Sequence, residues 1–414
     1  MRQSPEQHRI VIAGLGLVTS LGHGAWPTFR ALLAGRTIAD RAARLAEAID
    51  PVDMVRALGC VSIAQHGPDA SVVLAEHAAR EALAEADIAQ QPVDCILGAS
   101  KGAVAAWTDA LRLIGQHSAG NATGLTHRPV EDAPLATALG PMGYLSHGLA
   151  TRLPVRIMRS VVAACASSLT ALHDARRWLL HSAADRARVS QVLVVSSEAA
   201  LLPAFIHSYR RLGVLAPLRR DGYAGRPLDA DRGGFMLCEI GAAVLLRRLD
   251  RDQPPRPGEI ELLATATGNE SHDLIRHAPG MPGLRRLAGE LLKGHFIDVL
   301  HPHATGTVEH DPEELAALAA SLDQSTWPDV YAAKGALGHG LGTAGLASLV
   351  IACLCARVGR RPPMPWLSRP MPSPLPLRAE LLTGPCTTHA VFAGGFGGHL
   401  AGAVVRKCSP DGVD

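Results

Sequence analysis

The run Val161-Val-Ala-Ala-Cys-Ala-Ser-Ser-Leu-Thr-Ala-Leu places a thiol where a nucleophile could act. A buried strand predicted over residues 159–163 ends there, small residues turn the chain, and a helix is predicted to begin at Cys165. A thiol at a helix N-terminus feels the positive end of the helix dipole, which favours the thiolate. The same pattern also fits one more buried core cysteine, so this segment alone leaves both interpretations open.

A second segment, His301-Pro-His-Ala-Thr-Gly-Thr-Val-Glu-His-Asp-Pro-Glu-Glu, follows the apolar strand predicted over residues 296–300. A histidine just past the C-terminal end of a strand lies where α/β folds place their sites, so His303 is a candidate for chemistry. Asp311, followed by Glu314, predicts an N-terminal cap on the helix that comes next. The segment therefore combines a chemical and a structural candidate.

Two glycine-rich turns carry the remaining candidates. Lys334 and His339 bracket a turn in the run KGALGHGLGTAG, and Phe396 is the one large side chain in the turn of FAGGFGGH. The Walker A pattern is absent, so neither turn is predicted to hold a phosphate. Taken by itself, the turn at Phe396 is typical of a tight hairpin between strands.

The histidines and cysteines are not spaced as metal ligands. His301, His303 and His310 have no spacing that places them on one face, and the eight cysteines contain no CxxC pair. We therefore expect no metal, and a reduced cytoplasmic protein. The polar N-terminus lacks the regions of a signal peptide, and the uncharged run 340–356 is predicted to be a buried core helix rather than a membrane span.

Strands and helices alternate along the chain, which predicts an α/β fold with largely buried sheets. The alternation restarts after a proline-rich linker at residues 250–258, so we predict an N-terminal half over residues 1–253 and a C-terminal half over residues 254–414. Residues 118–140 are predicted to be a loop, and the proline-rich stretch 361–376 an extended surface connection.

Composition limits the function classes. The 414 residues are 47% hydrophobic and 19% charged, which permits a large core, and the net charge of +2 argues against nucleic-acid binding by bulk charge. Aromatic residues make up only 4% against 41 glycines, so the core is built from small aliphatic residues and close backbone contacts.

Six motifs in order resemble the β-ketoacyl-[acyl-carrier-protein] synthases, the decarboxylating condensing enzymes of the thiolase superfamily. The opening RIVIAGLGLVTSLG is similar to that family's first strand, and ACASSL to its nucleophile motif. RPLDADRGGFMLCEIGAAVLL resembles RPFDxxRDGFxxGEGAG, HATGTVEHD resembles HGTGTxxGD, KGALGHGLGTAG resembles KxxxGHxxGAAG, and GGFGG resembles GFGFGG. The resemblance spans almost the whole chain and implies a thiolase-like α-β-α-β-α layered fold made of two similar halves.

The resemblance implies a role for each candidate. Cys165 would take an acyl group from the phosphopantetheine of an acyl-carrier protein, with the backbone amides of Cys165 and Phe396 as oxyanion hole. His303 and His339 would donate hydrogen bonds to the malonyl thioester, Lys334 would orient them, and Phe396 would gate the second substrate. The residues implied in substrate binding are Thr305, Thr307, Gly395 and Gly397. No cofactor is expected to be bound permanently.

The chain departs from the family pattern at three positions near these residues. Ala304 and His310 replace glycines of HGTGTxxGD, and Ser348 replaces the glutamate that pairs with the lysine fourteen residues earlier. A buried lysine without a carboxylate is costly, so either another acid substitutes or Lys334 is held differently. These departures predict a specialised member acting on a polyketide-type, polyene or pigment chain.

The resemblance also implies partners. We expect a homodimer, or a heterodimer with a ketosynthase-like chain-length partner, and an acidic acyl-carrier protein facing a basic rim at Arg210, Arg211, Arg219 and Arg220. A solvated loop without a partner explains these arginines equally well. The alternatives are a CoA-dependent thiolase, which would need a second cysteine in a C-terminal CxG, a non-catalytic partner subunit, and a Cys-His hydrolase.

Overall fold

The computed structural model describes residues 8–39, 67–118, 133–181, 189–217, 225–250, 253–323, 325–384 and 386–408. The strands are β1 (Arg9–Thr19), β2 (Gly22–His23), β3 (Val93–Gly98), β4 (Val155–Val161), β5 (Gln191–Glu198), β6 (Ile240–Leu249), β7 (Ile260–Asn269), β8 (Val299–His301), β9 (Asp329–Val330), β10 (Arg360–Arg361), β11 (Leu382–Thr383), β12 (Thr388–Gly395) and β13 (His399–Lys407). The α-helices are α1 (Ala25–Leu33), α2 (Ala70–Glu85), α3 (Val104–Ser118), α4 (Ala133–Ala150), α5 (Ser167–His181), α6 (Pro203–Arg211), α7 (Pro282–Leu292), α8 (His310–Ala319), α9 (Lys334–Leu337) and α10 (Ala344–Val358).

A single large sheet runs through the described part of the chain in the order β4-β3-β5-β6-β1-β7-β13-β12-β8-β9, with β2 paired to β1. Its two ends mirror each other: β4-β3-β5 and β9-β8-β12 are parallel, and β6 and β13 pair antiparallel to the strands on both sides of them. The two sets meet where β1 pairs with β7. This repeated strand order supports two similar halves, while the division at residues 253 and 254 stays a prediction.

The helices complete the layers. The central helices α5 and α10 contact each other and strands of both sets, whereas α2 packs on β1, β5 and β6 and α7 packs on β7 and β13. A central helix pair thus contacts both strand sets, and further helices pack on each set separately, which confirms the predicted layered α/β fold. The window Leu341–Val358, which includes α10, is apolar enough by length and composition to cross a membrane, but 89% of it is buried inside the protein.

Close backbone contacts explain the glycine-rich, ring-poor composition. A Cβ atom at Gly14 of β1 would lie 1.9 Å from the carbonyl oxygen of Ala82, and one at Gly16 would lie 1.8 Å from that of Ala78. Helix α2 can therefore rest directly on the backbone of β1 only because both positions lack a side chain. Packing at this distance replaces the large side chains that a wider spacing would need.

Two predictions about connections are wrong. Residues 133–139, predicted to be a loop, form the first part of α4, which is broken at Gly140 and Pro141. The stretch 361–376 is not a surface connection, because apolar residues between its prolines point into the core; these are Met364, Trp366, Leu367, Met371 and Leu375. Trp366 lies against the backbone of Gly335 and donates a hydrogen bond to the carbonyl of Pro227 at 3.1 Å.

Candidate active site

Cys165 lies in a tight turn between β4 and α5. Ala164, just before it, has a φ of 47°, a conformation that costs free energy for a residue with a side chain. The Ser167 hydroxyl stabilises this turn, because it accepts a hydrogen bond from the Ala163 amide at 2.8 Å and donates one to the Ala164 carbonyl at 2.6 Å. The turn therefore presents Cys165 at the end of the strand, two residues before the helix begins.

The expected preference for a thiolate is wrong for the resting site. Burial raises the pKa of the Cys165 thiol to about 11, and the positive charge of Lys334 opposes this rise without cancelling it. Desolvation penalises the anion more than Lys334 stabilises it. Cys165 is thus a thiol at neutral pH.

Two histidines converge on this thiol. The Cys165 sulfur and one ring nitrogen each of His303 and His339 all lie within 4.8 Å of one another. The two imidazole rings meet edge to face with centroids 5.3 Å apart. Burial, and then the charge of Lys334, hold the pKa of both histidines well below the ordinary value, so both rings are neutral at pH 7.

Buried carboxylates hold the loop that carries His303. Glu314 accepts hydrogen bonds from the amides of His303 at 2.6 Å and Ala304 at 2.7 Å, and Asp311 accepts one from Gly306 at 3.0 Å. Helix α8 has no side-chain cap, so the predicted capping role of these two acids is wrong. Both acids are structural, as predicted, but they hold the loop that carries His303 instead of the helix end.

His339 is fixed through its own backbone. Its amide donates to the carbonyl of Met236 at 2.6 Å, and its carbonyl accepts from Cys238 at 3.3 Å. Its ring meets that of Phe235 edge to face at 4.7 Å. All three contacts come from the segment RGGFMLCEIG, whose residues carried no predicted role.

Lys334 is held by a carbonyl in place of the missing glutamate. Its ammonium donates a hydrogen bond to the carbonyl oxygen of His303, and Glu314 is the acid that most opposes the lowering of its pKa. Burial nevertheless lowers the pKa of Lys334 to about 8. A small cavity of about 10 Å³ is lined by both Lys334 and Ser348, the position of the family glutamate.

The β12–β13 hairpin closes the site on the side of the nucleophile. A Cβ atom at Gly395 would lie 2.9 Å from the Cys165 amide nitrogen and 3.0 Å from the Ala164 side chain, so only glycine permits this approach. Phe396, at the turn, is half-buried and packs on an apolar cluster of residues from α6 and the loops beside it, including Tyr209 and Phe235. The hairpin predicted from the glycines is confirmed.

A cavity of about 630 Å³ joins these groups. Cys165, His303, His339, Phe396 and the two predicted threonines line it. The hydroxyls of Thr305 and Thr307 lie 3.0 Å apart. Gly395 also lines it, whereas Gly397 lies at the hairpin turn and donates its amide to the Leu274 carbonyl at 2.8 Å.

The predicted basic rim is described only in part. Arg210 and Arg211 are exposed in the last turn of α6, and the next two residues, Leu212 and Gly213, line the cavity. Arg219 and Arg220 lie outside the described residues.

Comparison with known proteins places the chain in a family. The Beta-ketoacyl synthase N-terminal domain profile matches residues 68–252, and the C-terminal domain profile matches residues 263–367. The chain is 27% identical over 373 residues to polyketide beta-ketoacyl synthase 1 of Streptomyces halstedii, covering 84% of this chain and 85% of that protein.

Two solved structures share the fold. The ketosynthase complex described as "AntDE:AntF (apo): type II PKS acyl-carrier protein in complex with its ketosynthase bound to the hexaketide" has a TM-score of 0.78 at 19% identity, over 97% of this chain and 100% of that one. "The ishigamide ketosynthase/chain length factor" has a TM-score of 0.70 at 21% identity, over 97% and 100%. The chain belongs to the beta-ketoacyl synthase family of condensing acyltransferases.

Proposed function

We propose that this chain joins an acyl group carried on Cys165 to the two-carbon unit of a malonyl-[acyl-carrier protein], with loss of carbon dioxide. The observation that carries the proposal is the convergence of the Cys165 sulfur with one ring nitrogen each of His303 and His339, all within 4.8 Å in one cavity. One thiol and two neutral imidazoles suit this chemistry, which needs a nucleophile and uncharged hydrogen-bond donors.

The first half-reaction loads the nucleophile. The Cys165 sulfur attacks the carbonyl carbon of an acyl thioester on the phosphopantetheine arm, and the oxygen becomes an oxyanion stabilised by the amides of Cys165 and Phe396. The bond to the pantetheine sulfur then breaks, and the proton lost by Cys165 leaves with that thiol. The pKa of Cys165, raised to about 11, fits a proton that departs only during the attack.

The second half-reaction makes the carbon–carbon bond. His303 and His339 donate hydrogen bonds to the malonyl thioester oxygen while the bond to the carboxylate breaks and its electron pair forms the enolate. The enolate carbon attacks the acyl thioester on Cys165, the carbon–sulfur bond breaks, and the released thiolate takes up a proton. Because their lowered pKa values keep both rings neutral, the histidines donate hydrogen bonds to the enolate oxygen without carrying a positive charge.

The partners follow from the cavity and its rim. An acidic acyl-carrier protein would dock beside Arg210 and Arg211, whose helix leads directly into the cavity wall at Leu212. The product is a β-ketoacyl-[acyl-carrier protein] of fatty-acid or polyketide type, made in the cytoplasm. We propose a dimer with a second copy or with a ketosynthase-like chain-length partner, and no cofactor beyond the carrier's own phosphopantetheine.

Loading is tested by intact-protein mass spectrometry after incubation with acyl-carrier substrate. We expect one acyl adduct on Cys165, and none in Cys165→Ala, which should still bind malonyl carrier. An adduct on another cysteine would refute the assignment. A chain that forms no adduct and releases no carbon dioxide, alone or with a co-expressed homologue, would be a non-catalytic subunit, and condensation of acetyl-CoA alone would identify a thiolase.

A further inference from the structure

His310 stands beside the catalytic histidine without a part in the proposed mechanism. Its ring packs edge to face on that of His303, with centroids 5.5 Å apart, and on that of His277 at 5.4 Å. Its Nδ1 lies 3.6 Å from a carboxylate oxygen of Glu314 and 3.8 Å from one of Asp311. These distances fit an ion pair if the ring is protonated, and they involve the same two acids that hold the His303 loop.

With Asp311 and Glu314 both ionised, a cationic His310 balances the buried charges at this place. Asp311 is 0% exposed and Glu314 is 1% exposed, so neither carboxylate has water to stabilise its charge. Lys334 supplies one positive charge, and a protonated His310 supplies the second. Burial by itself would lower the pKa of His310, but the two carboxylates outweigh it and raise the pKa, which agrees with this balance.

Glu314 is the acid that depends on this charge. Burial raises its pKa, and His310 is the first of the groups that oppose the rise, ahead of the amides of Ala304 and His303. A protonated Glu314 would lose one of its acceptor oxygens, and with it one of the two amide hydrogen bonds that fix His303. The orientation of His303 towards Cys165 is therefore coupled to the charge of His310.

We propose that His310 is a positioning residue for the condensation: as an imidazolium between Asp311 and Glu314, it keeps Glu314 ionised so that Glu314 holds the His303 loop in the reactive geometry. The inference rests on the proposed function, because it assigns His303 to the decarboxylation step. It also accounts for a histidine where the family pattern has glycine. His310 adds a positive charge where the family has glycine, and Ser348 removes the negative charge of the family glutamate. The surroundings of Lys334 are therefore more positive in this chain than in the family pattern.

The test compares the wild-type chain with His310→Asn, which removes the charge and keeps a polar side chain. Malonyl decarboxylation is measured between pH 5.5 and 9. The charged and titratable groups facing His310 are Asp311, Glu314, His303, Lys334, and His277 with its neighbour Glu313; all are present in both proteins, so the ratio of the two rates isolates His310. We expect the variant to be about tenfold slower at low pH and to converge on the wild-type rate as the pH rises and wild-type His310 loses its proton.

His310→Lys restores a positive charge at the acid end of this range, so its rate there should exceed that of the Asn variant. His277→Asn is the matched control, because its Nδ1 lies 3.8 Å from the more exposed Glu313 instead of Glu314. A thermal unfolding midpoint reports the fold, and His310→Gln repeats the test if the Asn variant does not fold.

The role of His310 would be overturned if the ratio of the wild-type rate to the His310→Asn rate did not change with pH, or if the two rates were equal at low pH. If the wild-type chain neither acylates Cys165 nor releases carbon dioxide at any pH, the proposed function itself fails, which is a different result.

Discussion

At the residue scale, burial rather than the helix dipole sets the chemistry of the site. The pKa of Cys165 is raised, and the pKa values of His303 and His339 are lowered, each with desolvation as its largest cause. All three groups are thereby kept neutral at pH 7. Neutral groups suit a reaction in which negative charge develops on the thioester oxygen as the reaction proceeds. Preorganised hydrogen-bond donors then stabilise the transition state more than the ground state.

The charge of Lys334 is expected to set an upper pH limit on activity. Its pKa is about 8, so it carries its charge below pH 8 and loses it as the pH rises through this value. We expect malonyl decarboxylation to fall about tenfold for each pH unit above 8, if the charge is essential to the enolate. The measurement is the rate against pH for the wild-type chain and for Lys334→Arg.

The arginine variant stays charged over this range, and His310 titrates in both proteins. The ratio of their rates should therefore change with a midpoint near pH 8, the pKa of Lys334. A ratio that is constant with pH would show that the charge of Lys334 does not serve the reaction.

At the scale of elements, glycine decides how closely the β12–β13 hairpin approaches the nucleophile. The turn carries Phe396, whose amide is one of the proposed oxyanion donors. Gly395 sets the distance between this turn and Cys165, because any side chain at position 395 would meet the amide nitrogen of Cys165. The hairpin is thus part of the site through its backbone, and not only through the ring of Phe396.

Gly395→Ala should slow acylation of Cys165 by at least about tenfold, because the added methyl group pushes the hairpin away and weakens the oxyanion hole. Gly394→Ala is a matched control one residue away. Its Cβ would lie 3.7 Å from the nearest atom, in the ring of His303, which is an ordinary contact. The measurement is the acylation rate by mass spectrometry, with the thermal midpoint as a check. Equal rates for the two variants would contradict this role of Gly395.

At the scale of the whole molecule, the two strand sets bring the candidate site residues into one cavity. Cys165 follows β4 of the first set, whereas His303 follows β8 and His339 follows β9 of the second. β4 itself is an end strand of the sheet, and among the described residues it pairs only with β3. Two apolar side chains are exposed at this edge, Ile157 within the strand (48%) and Val162 just after it (58%), as expected of an edge that pairs with a partner.

We expect the chain to form dimers through this strand, either with itself or with a ketosynthase-like partner. Ile157→Lys combined with Val162→Lys should shift the assembled protein to monomers, because two charges on each side would be buried without partners. Light scattering after size-exclusion chromatography measures the mass. Leu381→Lys, at a site 41% exposed, is the control, and a double variant that stays dimeric would place the interface elsewhere.

The sequence by itself determined many of the elements and singled out the candidate site residues. The strands at β1, β3 and β5, the helix at α2 and the hairpin at Phe396 follow from local patterns of apolar, small and glycine residues, which act over a few neighbours. Cys165, His303, His339 and Lys334 were identified from motifs after predicted strands. Local patterns did not predict that Asp311 and Glu314 hold the His303 loop, or that the proline-rich stretch around Trp366 is buried.

Those features depend on the tertiary structure, and so do the protonation states of the groups in the site. The pKa of Cys165 depends on how much water the assembled halves exclude, which no local pattern reports. The replacement of the family glutamate by a carbonyl contact to His303, and the approach of His310 to Glu314, join residues from different elements. Desolvation and ion pairing are properties of groups brought together in space, so the sequence names the groups and the fold sets their protonation.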